Sequence, residues 1–169
     1  MNKTYNIIAL LLDYPSQEMK DALPSVLPTV LEEGILQEQQ VGLLQKFMDY
    51  ATTFPTLRDW QSAYTELFDT ASKANLYLFD FVYGTSRDRG QAMVDLQEEY
   101  LKAGLLPKEG ELPDYLPVFL EYVAAKDSPE KALEALQEIN IVLTKMQELF
   151  AKHEHPYEPL IQLLLTLSN

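Results

Sequence analysis

Apolar residues recur along this chain at spacings of three and four, and polar residues fill the positions between them. Such spacing places apolar side chains on one face of a helix. Proline, glycine and serine interrupt the pattern at intervals, and the sequence contains no long alternation of apolar and polar residues of the kind that strands show. We therefore predict an all-α fold, a compact single-domain bundle of about eight or nine helices over residues 1–169.

The first half of the chain is predicted to contain four helices. Pro15 ends the first helix, Ser16 is placed to cap the second, and Gly34 marks the end of the second. Pro24 and Pro28 predict a kink there, or a division into two short helices, because each proline removes a backbone N–H. The inward positions of the next two helices are Val41, Leu44, Phe47, Met48 and Ala51, then Leu57, Trp60, Tyr64, Leu67 and Phe68.

The second half is predicted to contain four more helices. One runs over about 88–103, with Gly104 at its C-terminal end, and Asp114 is placed to cap the next. A continuous helical period then extends over 128–150. The last helix, which begins near Pro156, is apolar almost all round, so we expect it to be buried on more than one face.

The stretch 75–96, NLYLFDFVYGTSRDRGQAMVDL, lies between these two halves. It begins with aromatic residues at alternate positions from Tyr77 to Tyr83, continues through a Gly-Thr-Ser turn, and carries Arg87 and Arg89. The aromatic residues fit either a core or the wall of a groove, since aromatics dominate both. The arginines fit either a solvated surface or a pair with a buried carboxylate that fixes the turn.

Charge narrows the classes of partner. Thirteen lysines and arginines against 26 aspartates and glutamates give a net charge of −13. Such a chain repels nucleic acid and anionic membranes and attracts a basic partner, although acidity also serves solubility alone. The apolar run 7–12 is too short for a secretory signal or a membrane span, so we expect a cytoplasmic protein without a membrane span.

The residues that could support catalysis or hold a metal are few. The sequence has no cysteine, no glycine-rich phosphate loop, no Gly-x-Ser-x-Gly elbow and no Glu-x-x-His pair. Its two histidines, His153 and His155, are two residues apart and so point to different sides of a helix, and we expect both at a solvated helix end. We therefore predict no catalytic residues, no metal site and no enzyme activity, which leaves binding.

Three motifs, taken together and in order, resemble a known family. They are YTELFD at 64–69, LYLFDFVYGTSRDRGQAMVDL at 76–96 and ELPDYLPVFLEYVA at 111–124. They look like the nitrate reductase molybdenum cofactor assembly chaperones, also called the delta subunit of respiratory nitrate reductase. These belong to the redox enzyme maturation chaperones, a group that includes those of trimethylamine oxide and dimethyl sulfoxide reductases.

The resemblance implies an all-helical chaperone that is absent from the finished enzyme. It implies a partner, the apo catalytic (alpha) subunit of nitrate reductase, recognised at its N-terminal segment in the cytoplasm. It also implies that the chaperone keeps this subunit ready for insertion of the molybdenum bis-guanine-dinucleotide cofactor before membrane docking, without binding a cofactor stably itself. Molybdenum cofactor biosynthesis proteins are further expected partners.

This chain departs from the family pattern at two places. The resemblance leads us to expect histidines where Phe81 and Tyr83 stand, and a histidine after Pro-Asp where Tyr115 stands. Both changes remove a group that titrates near neutral pH. A pH-sensing or nucleotide-contacting histidine in this loop is therefore in doubt for this chain.

The candidate partner-binding residues follow from these motifs. We expect an apolar wall, a turn held by arginines that also contact the partner, and an acidic rim. The wall residues are Tyr64, Phe68, Phe79, Tyr83 and Tyr115, the turn residues are Arg87 and Arg89, and the rim residues are Glu111 and Asp114. Two alternatives stay open, a helical adaptor that directly binds a guanine nucleotide or the free molybdenum cofactor, and a purely structural helical module.

Overall fold

The periodic apolar stripes form helices, as the sequence predicts. A computed structural model describes residues 2–106 and 108–169, and over these residues it contains ten α-helices and no strand. The helices are α1 Lys3–Leu12, α2 Gln17–Glu33, α3 Glu38–Ala51, α4 Leu57–Leu67, α5 Leu78–Val82, α6 Asp88–Lys102, α7 Leu116–Ala124, α8 Pro129–Gln137, α9 Asn140–Lys152 and α10 Glu158–Leu167. The all-α prediction is confirmed.

Helix α2 runs without a break through both of its prolines. Ser16 caps its start, where the hydroxyl accepts the Met19 N–H at 3.1 Å, and Gly34 ends it with a left-handed φ of 74°. Pro24 and Pro28 are both exposed, so both proline rings lie on the solvent side of the helix. The predicted division into two short helices is therefore wrong.

One long helix of the prediction is two helices in the structure. α8 ends at Gln137 and α9 begins at Asn140, where the sequence pattern runs unbroken from 128 to 150. Ile139 stands between the two helices and is buried, so the apolar period continues through the break. Periodicity alone could not reveal this turn. The break between α8 and α9, together with the short helix α5, brings the number of helices to ten over the residues that the structure describes.

The core forms around α1, α7 and α10. α1 packs against α7, and α10 packs between α3, α8 and α9. Five residues of α10 are buried, Pro159, Leu160, Ile161, Leu163 and Leu164, which confirms the expected burial on more than one face. Fully burying a leucine or isoleucine side chain contributes roughly 1.5–3 kcal/mol each, so α10 is a large part of the hydrophobic stabilisation.

Helices α5 and α6 contribute little to this core. α5 is five residues long, and α6 buries Tyr100 alone among the residues the structure describes. α5 and the first part of α6 belong to the central stretch 75–96 that the sequence singles out. None of the helices in residues 2–106 and 108–169 is both long enough and apolar enough to cross a membrane.

Candidate functional site

The two central motifs meet at one backbone crossing. Tyr77 and Tyr115 form an isolated antiparallel bridge. The Leu78 N–H donates to the carbonyl of Asp114 at 2.9 Å, and the Leu116 N–H donates to the carbonyl of Leu76 at 2.8 Å. The segments around 75–83 and 111–117, which are far apart in sequence, therefore form one structural unit.

Asp114 is the buried centre of this crossing. Its carbonyl and its carboxylate accept the N–H groups of Leu78 and Phe79, which are the first two residues of α5. Helix N-termini leave such N–H groups without partners, so Asp114 caps α5 from across the chain. The predicted cap of the next helix is wrong, because α7 begins at Leu116 with Tyr115 as its N-cap and no side-chain cap.

Burial sets the electrostatics of this carboxylate. The side chain of Asp114 is fully buried, and burial raises its pKa, while the Phe79 N–H and the Arg89 guanidinium oppose that change. Its Oδ1 accepts no hydrogen bond from the described residues. Asp114 was predicted to be a rim residue, but the structure places it behind the surface, where it holds the turn.

Arg89 closes the turn between α5 and α6. It pairs with Asp80, donates to the carbonyl of Gly84 at 3.3 Å, and lies 4.0 Å from the Asp114 carboxylate. Gly84 has a φ of 54°, a conformation that glycine adopts without strain. Arg89 thus holds the central turn as expected, whereas Arg87 is exposed and its side chain makes no hydrogen bond to the residues described.

A surface groove opens beside this crossing, and we call it the aromatic groove. Its volume is about 340 Å³. Residues that line it include Tyr64, Phe68, Asn75, Tyr77, Asp80 and Tyr115. Tyr64, Phe68 and Tyr115 were predicted from the sequence, and the structure brings these three together.

Hydroxyl groups join the floor of the groove to the end of α1. Tyr64 and Tyr115 have their hydroxyl oxygens 3.0 Å apart. The Tyr115 hydroxyl donates to Asp13 Oδ1 at 3.0 Å, and the Tyr64 hydroxyl lies 2.9 Å from the carbonyl of Leu12. Burial raises the pKa of both tyrosines, so both hydroxyls stay protonated at neutral pH.

Among the groove residues that the sequence reasoning missed, three carry polar groups: Asn75, Tyr77 and Asp80. Asp80 accepts from the Asn75 side chain at 2.7 Å, and this places both residues at the edge of the groove. Tyr77 packs against Tyr115 in a tilted arrangement, with ring centroids 5.2 Å apart, and is 37% exposed. A signal for Tyr77 was present, because it belongs to the aromatic run.

The other predicted wall and rim residues lie beside the groove. Phe79 on α5 contacts Tyr83, the C-cap of that helix, with ring centroids 5.2 Å apart. Glu111 lines a separate small cavity of about 40 Å³ near Tyr100 and Lys108. The structure therefore divides the predicted set between the groove, its supports and a neighbouring cavity.

The two histidines have different environments. His153 is exposed, as expected, whereas His155 is 6% exposed and packs at 4.8 Å on the Phe68 ring. Its Nδ1 accepts the Tyr157 N–H at 3.1 Å, and burial lowers its pKa to about 4. The prediction of a solvated helix end is wrong for His155, because the chain after α9 turns inward onto aromatic rings.

Within residues 2–106 and 108–169, no group of histidine, aspartate and glutamate side chains is placed to hold a metal ion.

The sequence has curated relatives over most of its length. It is 37% identical over 163 residues to the nitrate reductase molybdenum cofactor assembly chaperone NarJ of Escherichia coli strain K12, covering 96% of this chain and 68% of that protein. It is 34% identical over 158 residues to a Bacillus subtilis strain 168 protein named "Probable nitrate reductase molybdenum cofactor assembly chaperone NarJ", covering 90% of this chain and 84% of that one.

A solved structure shares the fold. A crystal structure described as that of a redox enzyme maturation protein from Archaeoglobus fulgidus superposes with a TM-score of 0.64, covering 98% of this chain and 92% of that one, at 19% identity. At that identity the similarity speaks for the fold alone. A sequence model of the family described as "Nitrate reductase delta subunit" matches residues 35–161. With three quarters of its length inside that match, the chain belongs to the nitrate reductase delta subunit family.

Proposed function

We propose that this protein is a chaperone dedicated to nitrate reductase assembly. It binds the N-terminal segment of the apo catalytic (alpha) subunit of respiratory nitrate reductase in the cytoplasm. It holds this client competent for insertion of the molybdenum bis-guanine-dinucleotide cofactor before membrane docking. In this proposal the protein catalyses no reaction and keeps no cofactor of its own. The similarity to nitrate reductase assembly chaperones supports the choice of client, and the aromatic groove supports the way in which the client is bound.

The aromatic groove is the observation that carries the mode of binding. It offers exposed aromatic surface at Tyr77, backed by Tyr115, with polar groups of Asn75 and Asp80 at its edge. An amphipathic peptide helix is recognised by such a surface, since its apolar side chains enter the groove and its backbone stays outside. At about 340 Å³ the groove accommodates a few side chains of a peptide.

The same groove disfavours the alternative of direct nucleotide or cofactor binding. A guanine nucleotide and the molybdenum cofactor both carry phosphate groups, which need cationic or N–H donors. Here the carboxylate of Asp80 lines the groove, and the nearby Arg89 is already paired with that carboxylate. A net charge of −13 adds long-range repulsion of polyanions.

Calorimetric titration tests the proposal. The ligand is a synthetic peptide of the first fifteen or so residues of the catalytic subunit from the same organism, with a scrambled peptide as control. We expect saturable one-to-one binding of the native peptide, and no heat with GTP or with the molybdenum cofactor. Heat with GTP or the cofactor, but not with the peptide, would favour the adaptor alternative.

A pair of variants locates the binding surface. Tyr77→Ala removes an exposed aromatic side chain from the groove, and Ile141→Ala removes a side chain that is 72% exposed on α9. We expect Tyr77→Ala to weaken peptide binding about tenfold and Ile141→Ala to leave it unchanged, because truncating a central aromatic anchor typically costs more than 1 kcal/mol. Equal affinities of the two variants for the peptide would mean that the client binds outside the groove.

A further inference from the structure

Asp13 lies at the end of α1 next to the aromatic groove. Its Oδ1 accepts two hydrogen bonds, from the Tyr115 hydroxyl at 3.0 Å and from the Tyr14 N–H at 2.8 Å. Its Oδ2 accepts none from the part of the chain that the structure describes, and the residue is only half-buried. One carboxylate oxygen is therefore available to a donor that comes from outside.

Tyrosine rings surround this carboxylate. The rings of Tyr77 and Tyr115 pack in a tilted arrangement with centroids 5.2 Å apart, and Tyr14 meets Tyr64 edge to face at 5.7 Å. The hydroxyls of Tyr64 and Tyr115 are 3.0 Å apart, so the two pairs adjoin. Aromatic faces beside a carboxylate attract organic cations, because the ring quadrupole and the negative charge act in the same direction.

The hydroxyl protons of Tyr64 and Tyr115 are already committed to partners within the protein. Each tyrosine hydroxyl has one proton to donate. Tyr115 gives its proton to Asp13, so at the 3.0 Å contact it can only accept, and Tyr64 either donates there or to the carbonyl of Leu12. What Tyr64, Tyr115 and Asp13 offer to a ligand is therefore acceptor capacity. That favours a group rich in N–H donors over a carboxylate or phosphate.

The electrostatic surroundings are negative as well. Burial raises the pKa of Tyr77, and the charges of Asp114, Asp80, Asp13 and Glu111 raise it further. The oxygen Oδ1 of Asp114 meets no donor among the residues described.

We propose that Asp13, with the rings of Tyr77 and Tyr115, forms a subsite for the cationic end of one lysine or arginine side chain of the client segment. The stem of that side chain lies against the tyrosine rings, and its ammonium or guanidinium group pairs with Asp13 Oδ2. The inference rests on the proposed function, because it names a chemical group of the same client. It adds a specificity determinant at the C-terminal end of α1, outside both the central stretch 75–96 and the motif at 111–124.

A double-mutant cycle tests the subsite. Asp13→Asn removes the charge and keeps an acceptor for Tyr115, and Glu134→Gln removes the same charge at an exposed position on α8. Each protein is titrated with the fifteen-residue client peptide, and with peptides in which one lysine or arginine at a time is replaced by norleucine. We expect Asp13→Asn to weaken binding of the native peptide about five- to tenfold and Glu134→Gln by less than about twofold.

For one of the norleucine peptides, the affinity should not change with Asp13→Asn, since that peptide lacks the cationic group that pairs with Asp13. The subsite is overturned if every peptide loses affinity equally, or if Glu134→Gln has the same effect as Asp13→Asn. A second variant, Tyr77→Leu, tests the subsite without disturbing the fold, because Tyr77 is 37% exposed and leucine keeps an apolar contact. It should weaken the same lysine or arginine contact about two- to fivefold.

A small probe separates failure of the subsite from failure of the proposed function. If the native peptide does not bind the wild-type protein, the proposed function falls. The subsite is then decided by NMR titration with N-acetyl-lysine methylamide and its norleucine analogue. Shifts at Asp13, Tyr77 and Tyr115 that occur with the lysine probe alone, and vanish in Asp13→Asn, support the subsite. Equal shifts with both probes, or none, overturn it.

Discussion

Helices α10 and α6 both carry apolar residues at helical spacing, yet α10 is largely buried and α6 is largely exposed. α10 has ten residues and buries five of them. α6 has fifteen residues and buries Tyr100 alone among those described, while Val94 and Leu101 are 51% and 49% exposed. The tenth helix is held by apolar burial. The sixth is held near its ends by polar contacts, through Arg89 and through the Tyr100 hydroxyl, which donates to the carbonyl of Pro113 at 2.6 Å.

The difference shows where this protein can move. Segments with few buried apolar contacts open at lower free energy than the core does. The turn between α5 and α6 adjoins the aromatic groove through Asp80, so the proposed client site lies at the edge of the least buried region. A rigid core and a weakly held wall suit a protein that must bind a segment and release it.

The largest expected effect separates the two helices by stability. Leu164→Ala in α10 should lower the free energy of unfolding by about 2–5 kcal/mol, because it leaves a cavity in a fully buried site. Val94→Ala in α6 should change it by less than about 0.5 kcal/mol, because the side chain is already in water. Urea denaturation of both variants measures the contrast. Similar losses would mean that α6 is part of the core.

The pH dependence of stability tests the buried core at another point, His155, which follows α9. His155 has a pKa of about 4 in the fold, below its usual 6.5, so the unfolded chain takes up a proton first. Stability from the neutral histidine is complete above pH 6.5 and is lost as pH falls from 6.5 to about 4. The loss is about 3 kcal/mol.

A pair of histidine variants isolates this term from the carboxylates that titrate in the same range. His155→Gln should remove the loss between pH 6.5 and 4, measured by urea denaturation at each pH. His153→Gln should keep it, because His153 is exposed. An unchanged pH profile in His155→Gln would show that the buried ring is not responsible.

The two arginines of the central turn provide a smaller and more local test. Arg89→Ala should raise the hydrogen-exchange rates of α5 amides and lower the free energy of unfolding by about 1 kcal/mol, since it frees Asp80 and exposes the turn. Arg87→Ala should leave both unchanged, because that side chain is exposed. If Arg87→Ala weakens client binding at unchanged stability, this arginine contacts the partner directly.

Salt gives the smallest expected effect, and it acts on the groove region alone. Affinity for a basic client peptide should fall a few-fold between low salt and about 0.5 M, because screening removes the attraction of an acidic surface. Stability of the core should change little over the same range. An affinity that does not depend on salt would show that the acidic surface does not attract the client peptide.

The candidate site was predictable only in part. Tyr64, Phe68 and Tyr115 were found because their motifs resemble a family, and the structure brings them together. Asp13 could not be found, since nothing in the sequence says that the end of α1 faces Tyr115. His155 was misjudged because two histidines near a helix end look solvated, and only the turn that follows α9 buries one of them.

The sequence by itself determined that this chain is helical and acidic, because helical period and net charge are local or additive properties. It also determined where a few helices begin and end, through Ser16 and Ser128 at the starts of α2 and α8 and Gly34 at the end of α2. Only the tertiary structure decided that Asp114 caps α5 rather than α7, and that α6 buries Tyr100 alone among the described residues. Those outcomes depend on contacts between residues distant in sequence, which spacing along one helix does not specify.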